Sequence, residues 1–178
     1  LIQQLDSETL IAPENSDRLM DSVTGYHFKL YHDALTGGYN RRYFEDVLKG
    51  KTDPAGVAVL DLDDFKLYND TYGHHAGDLA LRTAMEVVRA NIRKSDSLIR
   101  YGGDEFVLLL SHIPPEKFRS ILERIRGAVY TTEIPQYENI HPTVSIGGVY
   151  QAHPLVEAIR RADKLMYWAK QKRNDVQT

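Results

Sequence analysis

The stretch SLIRYGGDEFVLLL, Ser97–Leu110, decides the fold of this chain. Two apolar, strand-like runs, Ser97–Tyr101 and Phe106–Leu110, flank the turn-forming sequence Gly-Gly-Asp-Glu, and this pattern predicts a β-hairpin. Upstream, GVAVLDL at Gly56–Leu62 is apolar almost throughout, as in a strand that is buried on both faces. Downstream, Thr143–Tyr150 predicts one further strand.

Three segments between and after these strands have apolar residues at the spacing of an amphipathic helix. The first contains Leu81, Ala84, Val88 and Ile92, the second Phe118, Ile121, Leu122, Ile125 and Val129, and the third Leu155, Ile159, Ala162, Met166 and Ala169. A shorter helix is predicted over Asn40–Leu48. The order β-α-β-β-α-β-α predicts an α+β fold with a ferredoxin-like β-α-β-β-α-β core. We expect an antiparallel central sheet flanked by helices, which this arrangement puts on one face, and the end of the first strand beside the hairpin.

Length and composition indicate a globular protein of one domain. The chain has 178 residues, of which 42% are hydrophobic and 26% are charged, and a typical domain has roughly 150 residues. Its 22 Lys and Arg against 25 Asp and Glu give a net charge of −3, which argues against a nucleic-acid partner. It contains no Cys, which excludes disulfides and thiolate chemistry. The sequence has neither an apolar run of roughly 18 residues nor a signal-peptide pattern.

Residues 1–32 differ from the rest and are interpreted as a connector from an upstream sensory domain, followed by one domain at 33–178. Within the connector, Leu19–Asp33 predicts a helix. We expect its apolar side chains to face inward: Tyr26, Phe28 and Leu30. A partly disordered tail is the other interpretation. Because the first residue is Leu rather than Met, we expect the chain to be part of a longer protein.

Two acidic clusters, Asp61–Asp64 and Asp104–Glu105, follow the first strand and form the hairpin turn. The predicted fold brings them together, and carboxylates brought together repel one another. A hard divalent cation such as Mg²⁺ would relieve that repulsion. An EF-hand is excluded because Phe65 and Lys66 stand at its fifth and sixth positions, the sixth of which must be Gly. The alternative interpretation is two turns with solvated acids.

The sequence around both clusters resembles the GGDEF family of diguanylate cyclases. The matching runs are DALTG at Asp33–Gly37, DLDDFKLYNDTYGHHAGD at Asp61–Asp78, RYGGDEF at Arg100–Phe106, TVSIG at Thr143–Gly147 and ADKLMYWAK at Ala162–Lys170. The resemblance extends from Asp33 to Asn174 and implies the family's palm-type fold, in agreement with the strand order above. It also implies the condensation of two GTP into cyclic di-GMP, with release of two pyrophosphates. The alternative function is a non-catalytic signalling module that binds GTP or cyclic di-GMP.

The resemblance implies a site for two ions of Mg²⁺ or Mn²⁺ per bound GTP. Asp61, the carbonyl of Leu62 and Asp104 correspond to the metal ligands, and two such ions would stabilise the attacking and leaving oxygens. Asp104 also corresponds to the acid that helps to deprotonate the attacking 3′-hydroxyl. Glu105 is a further acidic position of the catalytic hairpin, and Lys66 corresponds to a phosphate-contacting lysine. An ordinary exposed helix lysine is the alternative for Lys66.

The implied substrate-binding residues follow the first acidic cluster, with one at the end of the last helix. Asn69 and Asp78 correspond to the guanine readers, and a carboxylate that accepts from guanine N–H groups favours GTP over ATP. The remaining implied contacts, with their alternatives, are His74 (or a cap of the local backbone), Phe65 (or a core residue) and Lys170 at the triphosphate. After Lys170 the family usually has a Gly and then an Arg four residues on, whereas Arg173 comes one residue early and without the Gly. The role of Arg173 is therefore open.

A second ligand site is implied by Arg93 and Asp96, which resemble the family's RxxD product-inhibition motif six residues before Gly102. Arg93 can fork onto a phosphate or guanine, and Asp96 can accept from guanine N–H groups. The alternative is an arginine at a helix end followed by a turn aspartate. The product's two-fold symmetry implies a homodimer during catalysis. We expect a cytoplasmic location. The longer protein to which the domain belongs is then either free in the cytoplasm or anchored in a membrane.

Overall fold

The computed structural model describes residues 13–50, 53–138 and 140–178, with side chains from residue 21 onward. The helices are α1 (Pro13–Tyr31), α2 (Arg41–Tyr43, continued by a π-helical turn at Phe44–Leu48), α3 (Phe65–Tyr72), α4 (His74–Ala90), α5 (Pro115–Tyr130) and α6 (Leu155–Lys172). The strands are β1 (Tyr39–Asn40), β2 (Gly56–Leu62), β3 (Ser97–Arg100), β4 (Glu105–Leu110), β5 (Val144–Tyr150) and β6 (Val176–Gln177). The first twelve residues of the predicted connector lie outside the described residues.

The described strands form one sheet in the order β1-β3-β4-β2-β5-β6. The four central strands are antiparallel, with β4 and β5 on either side of β2. This confirms the predicted ferredoxin-like core. The short strands β1 and β6 extend the two edges in parallel to their neighbours. They were not predicted, because two residues are too few to produce a recognisable alternation.

Alternate side chains of β2 enter two different cores, as the period of a strand requires. Ala58, Leu60 and Leu62 pack with α4 and α5 on one face, whereas Val57 and Val59 pack on the other face with residues of α6 and the π-helical turn. The two helices of the ferredoxin-like core therefore share one face, as predicted. The helix after that core, α6, and the short segment before it cover the opposite face, which explains why β2 is apolar in every position that packs.

Helix α1 is longer than predicted, and of the three apolar side chains expected to face inward only Leu30 is partly buried. Tyr26 and Phe28 are 70% and 55% exposed, so the expected inward orientation of these two side chains was wrong. An apolar pattern identifies one side of a helix but not what covers it. In the part of α1 whose side chains are described, the end of the helix is held to the domain by Asn40 Nδ2, which donates to the carbonyl of Leu30 at 2.8 Å. No helix in the described part of the chain is both long enough and apolar enough to cross a membrane.

Candidate active site

The two acidic clusters meet where β2 ends and β4 begins, at the edge of the sheet that is formed by strand ends and not at the edge strands β1 and β6. Asp61 is paired with Glu105 in the antiparallel register, and the N–H of Leu62 donates to the carbonyl of Asp104 at 3.3 Å. Asp61 and Asp63 are only 4% and 1% exposed. The interpretation as solvated turn acids therefore fails for these two residues. Asp104 is half-buried and Glu105 is exposed.

The carboxylate of Asp61 lies in an electrostatically unfavourable position. Burial, reinforced by the charges of Asp104 and Glu105, raises the pKa of Asp61 from 3.8 to about 6, although a hydrogen bond from Lys170 opposes this rise. Lys170 is the cation paired with Asp61 in the described residues. The carboxylates of Asp61, Asp104 and Glu105 thus share one ammonium group, that of Lys170, which leaves an excess of negative charge around Asp61.

The oxygen donors at this edge fit a hard divalent cation. Asp61 and Asp104 supply two carboxylates, and Leu62, the residue after Asp61, is hydrogen-bonded to the backbone of Asp104. No group of three or more His, Asp or Glu side chains in the described residues is arranged to hold a metal, at this site or at any other. Mg²⁺ is commonly bound by one or two carboxylates together with substrate phosphates and waters. The residues present therefore fit the magnesium site that the resemblance implies.

A left-handed turn leads from β2 into α3, a helix that the apolar pattern did not predict. Asp64 has φ 57° and forms the N-terminal boundary of α3. Phe65 packs against the larger core, which favours its alternative interpretation as a core residue. Lys66 is exposed in the first turn of α3. Asp64 and Lys66 therefore follow directly after the buried acids Asp61 and Asp63 in the chain.

Two polar side chains, those of Asn69 in α3 and Asp78 in α4, lie on either side of the turn that joins these helices. Asn69 Oδ1 is buried and has no hydrogen-bond partner among the described residues. A Cβ atom at residue 77 would overlap that oxygen, so Gly77 makes room for the Asn69 side chain. A buried acceptor without a partner costs about 1–3 kcal/mol, and a ligand N–H would remove that cost. Asp78 is exposed and immediately follows Gly77.

His74 is the first residue of α4 and is exposed. The alternative interpretation of His74 was a cap of the local backbone. In the part of the chain that the structure describes, the N-terminus of α4 has no side-chain cap. His74 thus lies on the same α3–α4 junction as Asn69 and Asp78, with its imidazole open to solvent.

The C-terminal turn of α6 brings two cations to the same edge. Lys170 donates a hydrogen bond to Asp61, and Arg173 Nη1 lies 3.1 Å from Asp64 Oδ2. Arg173 and Asn174 have φ values of 59° and 45°, in the left-handed region that favours glycine. This backbone indicates that Arg173 occupies the expected Gly position and Asn174 the expected Arg position. In this alignment the segment carries two substitutions rather than a deletion, and the role of Arg173 stays open.

Two positions that the sequence analysis did not assign hold the signature turn in place. The carboxylate of Asp33 accepts hydrogen bonds from the backbone N–H of Thr36, from Thr36 Oγ1 and from Arg100 Nη1, the last at 3.1 Å. Arg100 in turn donates to the carbonyl of Gly103 at 2.7 Å. Burial would raise the pKa of Asp33, but the Thr36 and Arg100 interactions outweigh it and lower that pKa from 3.8. Motif spacing alone could not reveal this pair, because it joins residues 67 positions apart.

Arg93 and Asp96 lie beyond the opposite end of α4 from Asp78. Helix α4 has 17 residues, which corresponds to roughly 25 Å. The two carboxylate oxygens of Asp96 accept from the N–H groups of Arg93 and Ser111 at 2.8 and 2.9 Å, so Asp96 closes the turn as its alternative interpretation expects. A cavity of about 520 Å³ opens beside it. Its polar and charged lining comprises Asn91, Arg93, Asp96, Lys117, Ser120 and Arg124.

Comparison with known proteins agrees with this architecture. The family model described as "Diguanylate cyclase, GGDEF domain" matches residues 30–175. The chain is 34% identical over 178 residues to Diguanylate cyclase A of Treponema denticola, an alignment that covers 96% of this chain and 48% of that protein. It is 36% identical over 157 residues to Diguanylate cyclase DosC of Escherichia coli K12, covering 82% of this chain and 34% of that protein. The chain thus spans between a third and a half of the length of these curated relatives.

Solved structures share the fold. The coiled coil and GGDEF domain of DgcB from Caulobacter crescentus, solved in complex with c-di-GMP, matches with a TM-score of 0.79 and 27% identity, over 92% of this chain and 93% of that one. The diguanylate cyclase SiaD of Pseudomonas aeruginosa, solved with its activator SiaC, matches with a TM-score of 0.73 and 28% identity, over 92% of this chain and 68% of that one. Because the family model covers most of the chain and the fold is that of solved members, this chain belongs to the GGDEF-domain family of diguanylate cyclases.

Proposed function

We propose that this chain is a catalytic domain that condenses two GTP into cyclic di-GMP and releases two pyrophosphates. The observation that carries the proposal is the convergence of buried Asp61 with Asp104 at one edge of the sheet. Acids arranged in this way suit phosphoryl transfer, in which charge develops on the attacking and leaving oxygens. Family membership supports the same reaction.

Guanine is bound at the junction of α3 and α4, and this proposed site, formed by Asn69, His74 and Asp78, is called the guanine recess. The unpartnered Oδ1 of Asn69 accepts one guanine N–H, and Asp78 accepts from the N1–H and N2–H₂ edge. Adenine lacks that pair of donors, so the recess selects GTP over ATP. His74 lies on the substrate side of the recess. Phe65, which packs against the core, forms the floor of the recess.

The triphosphate lies along the edge of the sheet, where Lys66, Lys170 and Arg173 supply positive charge. Asp61, Asp104 and the Leu62 carbonyl would hold Mg²⁺ or Mn²⁺, which supplies charge neutralisation at the phosphates when bound. Asp104 accepts the proton of the attacking 3′-hydroxyl. That oxygen forms a bond to the α-phosphorus of the other GTP, and the bond to pyrophosphate breaks. Glu105 adds negative charge beside Asp104.

Two copies of the domain are needed for the complete reaction. One domain offers one guanine recess, and the product contains two nucleotides related by a two-fold axis. Two domains therefore meet face to face in an isologous dimer, each presenting its 3′-hydroxyl to the other nucleotide. Residues 1–32 connect this domain at 33–178 to an upstream sensory domain, which controls how often the two copies meet. Because GTP is the substrate, the domain works on the cytoplasmic side.

The cavity beside Arg93 is the site of product feedback. Asp96 orders the turn that carries Arg93, and Lys117 and Arg124 add two more cations to the same cavity. A guanidinium can bind a phosphate or a guanine edge with two parallel hydrogen bonds. Cyclic di-GMP bound here would hold two domains in a non-productive arrangement without competing with GTP.

The test is to incubate the chain with GTP and Mg²⁺ and to identify the product by chromatography and mass spectrometry. We expect cyclic di-GMP and two pyrophosphates for each product molecule from the wild type. Asp104→Ala should lower turnover by at least about 10²–10³-fold, the effect of removing preorganised charge at other active sites, while its circular dichroism spectrum stays unchanged. GTP binding without any product would instead support the non-catalytic module.

A further inference from the structure

Asp63 is a buried carboxylate that the proposed mechanism does not use. The residue is 1% exposed. Its Oδ1 accepts from Ser145 Oγ at 2.7 Å, and its Oδ2 accepts from Thr143 Oγ1 at 2.8 Å and from the backbone N–H of Asn174 at 2.9 Å. In the described residues no Lys or Arg forms an ion pair with it. Burying a carboxylate is costly unless hydrogen bonds compensate, and here three neutral donors do so.

The third donor lies at the point where the chain leaves α6. Helix α6 ends at Lys172, and the next two residues are both left-handed. The side chain of Asn174 also accepts a hydrogen bond from Arg126 Nη1 of α5 at 2.9 Å. Immediately afterwards, the carbonyl of Asp175 accepts from the N–H of Ile146 at 2.9 Å, which starts β6. Asp63 therefore fixes the turn that follows the last residue of α6.

The body of α6 is held independently of this turn. A Cβ atom at residue 147 would overlap the backbone of α6 at Ala162 and Met166, so β5 and α6 are in direct backbone contact there. The last turn lies beyond that contact. It carries Lys170, which bonds Asp61, and it precedes Arg173, which pairs with Asp64.

We propose that Asp63 is a positioning residue: its buried carboxylate anchors Asn174 and thereby aligns Lys170 and Arg173 with the phosphate-binding edge of the site. The role in nucleotide binding rests on the proposed function. The anchoring role rests on the three hydrogen bonds alone. Asp63 touches no reacting group in this account, since it acts through the two cations.

The first measurement is amide hydrogen exchange of the segment 170–178 without nucleotide. In Asp63→Ala, loss of a hydrogen bond to a charged acceptor should increase exchange there about tenfold, with β2 and β4 unchanged. Asp63→Asn should stay close to the wild type, because its Oδ1 can accept from Asn174 and its amide can donate to Ser145 Oγ. Asp46→Ala, which removes an exposed carboxylate elsewhere, is the matched control. Unchanged exchange in Asp63→Ala would overturn the proposal.

The second measurement separates KM from kcat for GTP. Asp63→Ala should raise KM about tenfold and change kcat less than about threefold, because the two cations bind the phosphates already in the ground state. Asp63→Asn should restore KM. Increased exchange with an unchanged KM would overturn the role in nucleotide binding.

Folding and the proposed function are controlled separately. If Asp63→Ala does not fold, Asp63→Ser replaces it, since a serine hydroxyl is too short to reach Asn174. A wild-type chain without GTP turnover would refute the proposed function alone, and the exchange result would still support or overturn the anchoring role of Asp63.

Discussion

Lys170, in the last turn of α6, donates a hydrogen bond from its ammonium group to the carboxylate of Asp61 at the end of β2. Burial would lower the pKa of Lys170, but the hydrogen bond and charge of Asp61 outweigh it and raise that pKa. The side chain of Lys170 is 39% exposed, whereas that of Asp61 is 5% exposed. Lys170 can therefore return to water or to a phosphate, while Asp61 stays buried and needs another cation.

Asp61→Asn should stabilise the fold in EDTA at pH 7.5. The pKa of Asp61 is raised from 3.8 to about 6, so the folded state binds its proton more tightly than the unfolded state does. The resulting penalty is absent below pH 3.8, grows as the pH rises, and is complete above about 6. A shift of this size corresponds to about 3 kcal/mol.

Thermal unfolding at several pH values checks this prediction. The gain in Tm of Asp61→Asn should shrink as the pH falls from 7.5 towards 4. Addition of Mg²⁺ should raise the Tm of the wild type and leave that of Asp61→Asn unchanged. A lower Tm of Asp61→Asn in EDTA at pH 7.5 would mean that the Lys170 pair outweighs burial.

Asp78→Ser should weaken the preference for GTP over ATP. The variant removes the acceptor for two guanine N–H groups, and a buried donor left without a partner costs about 1–3 kcal/mol. The ratio of kcat/KM for the two nucleotides should therefore fall about tenfold or more. Gly77→Ala should have a similar effect, because its Cβ atom would displace Asn69. An unchanged ratio in both variants would place guanine recognition elsewhere.

Asp33→Asn should destabilise the chain most at neutral pH. The pKa of Asp33 is lowered from 3.8, so its contribution to stability is complete above that value and is lost as the pH falls through the lowered pKa. At pH 7 the loss should be about 1–3 kcal/mol, as for other hydrogen bonds to charged groups. Urea unfolding of both proteins between pH 7 and pH 3 measures it. A difference that stays constant down to pH 3 would contradict the assignment.

Arg93→Ala should relieve product inhibition without changing the uninhibited rate. The substitution removes one of the three basic side chains in the feedback cavity and lies beyond the far end of α4 from the guanine recess. Initial rates at increasing cyclic di-GMP, at two GTP concentrations, measure the effect and its type. Equal inhibition of the wild type and the variant would exclude a role for Arg93 in feedback.

The sequence was sufficient for the sheet core, and the reason is visible in β2. Every residue of Gly56–Leu62 is buried, so its apolar pattern has no polar interruptions before Asp61. Helix α3 was not recognised because none of its residues is fully buried, and its two partly buried core contacts, Phe65 and Tyr68, form too short a pattern to identify a helix. The edge strands β1 and β6 pair through only two residues each.

The site was predictable where it depends on strand order and unpredictable where it depends on how α6 ends. The meeting of Asp61 with the hairpin follows from the ferredoxin-like order. The Lys170–Asp61 contact joins residues 109 positions apart, and the anchor of Asn174 on Asp63 joins residues 111 positions apart. The second of these contacts follows the left-handed turn at Arg173, which a sequence with Arg in place of Gly does not suggest.

The most direct test of the account is the rate of cyclic di-GMP formation per chain as a function of chain concentration, over a range in which sedimentation shows mostly monomers. If two copies each hold one GTP, and the 3′-hydroxyl of each GTP attacks the α-phosphorus of the other, the rate per chain rises in proportion to concentration before it reaches a plateau. A rate per chain that is constant over that range, or GTP consumption without cyclic di-GMP, would contradict the central claim.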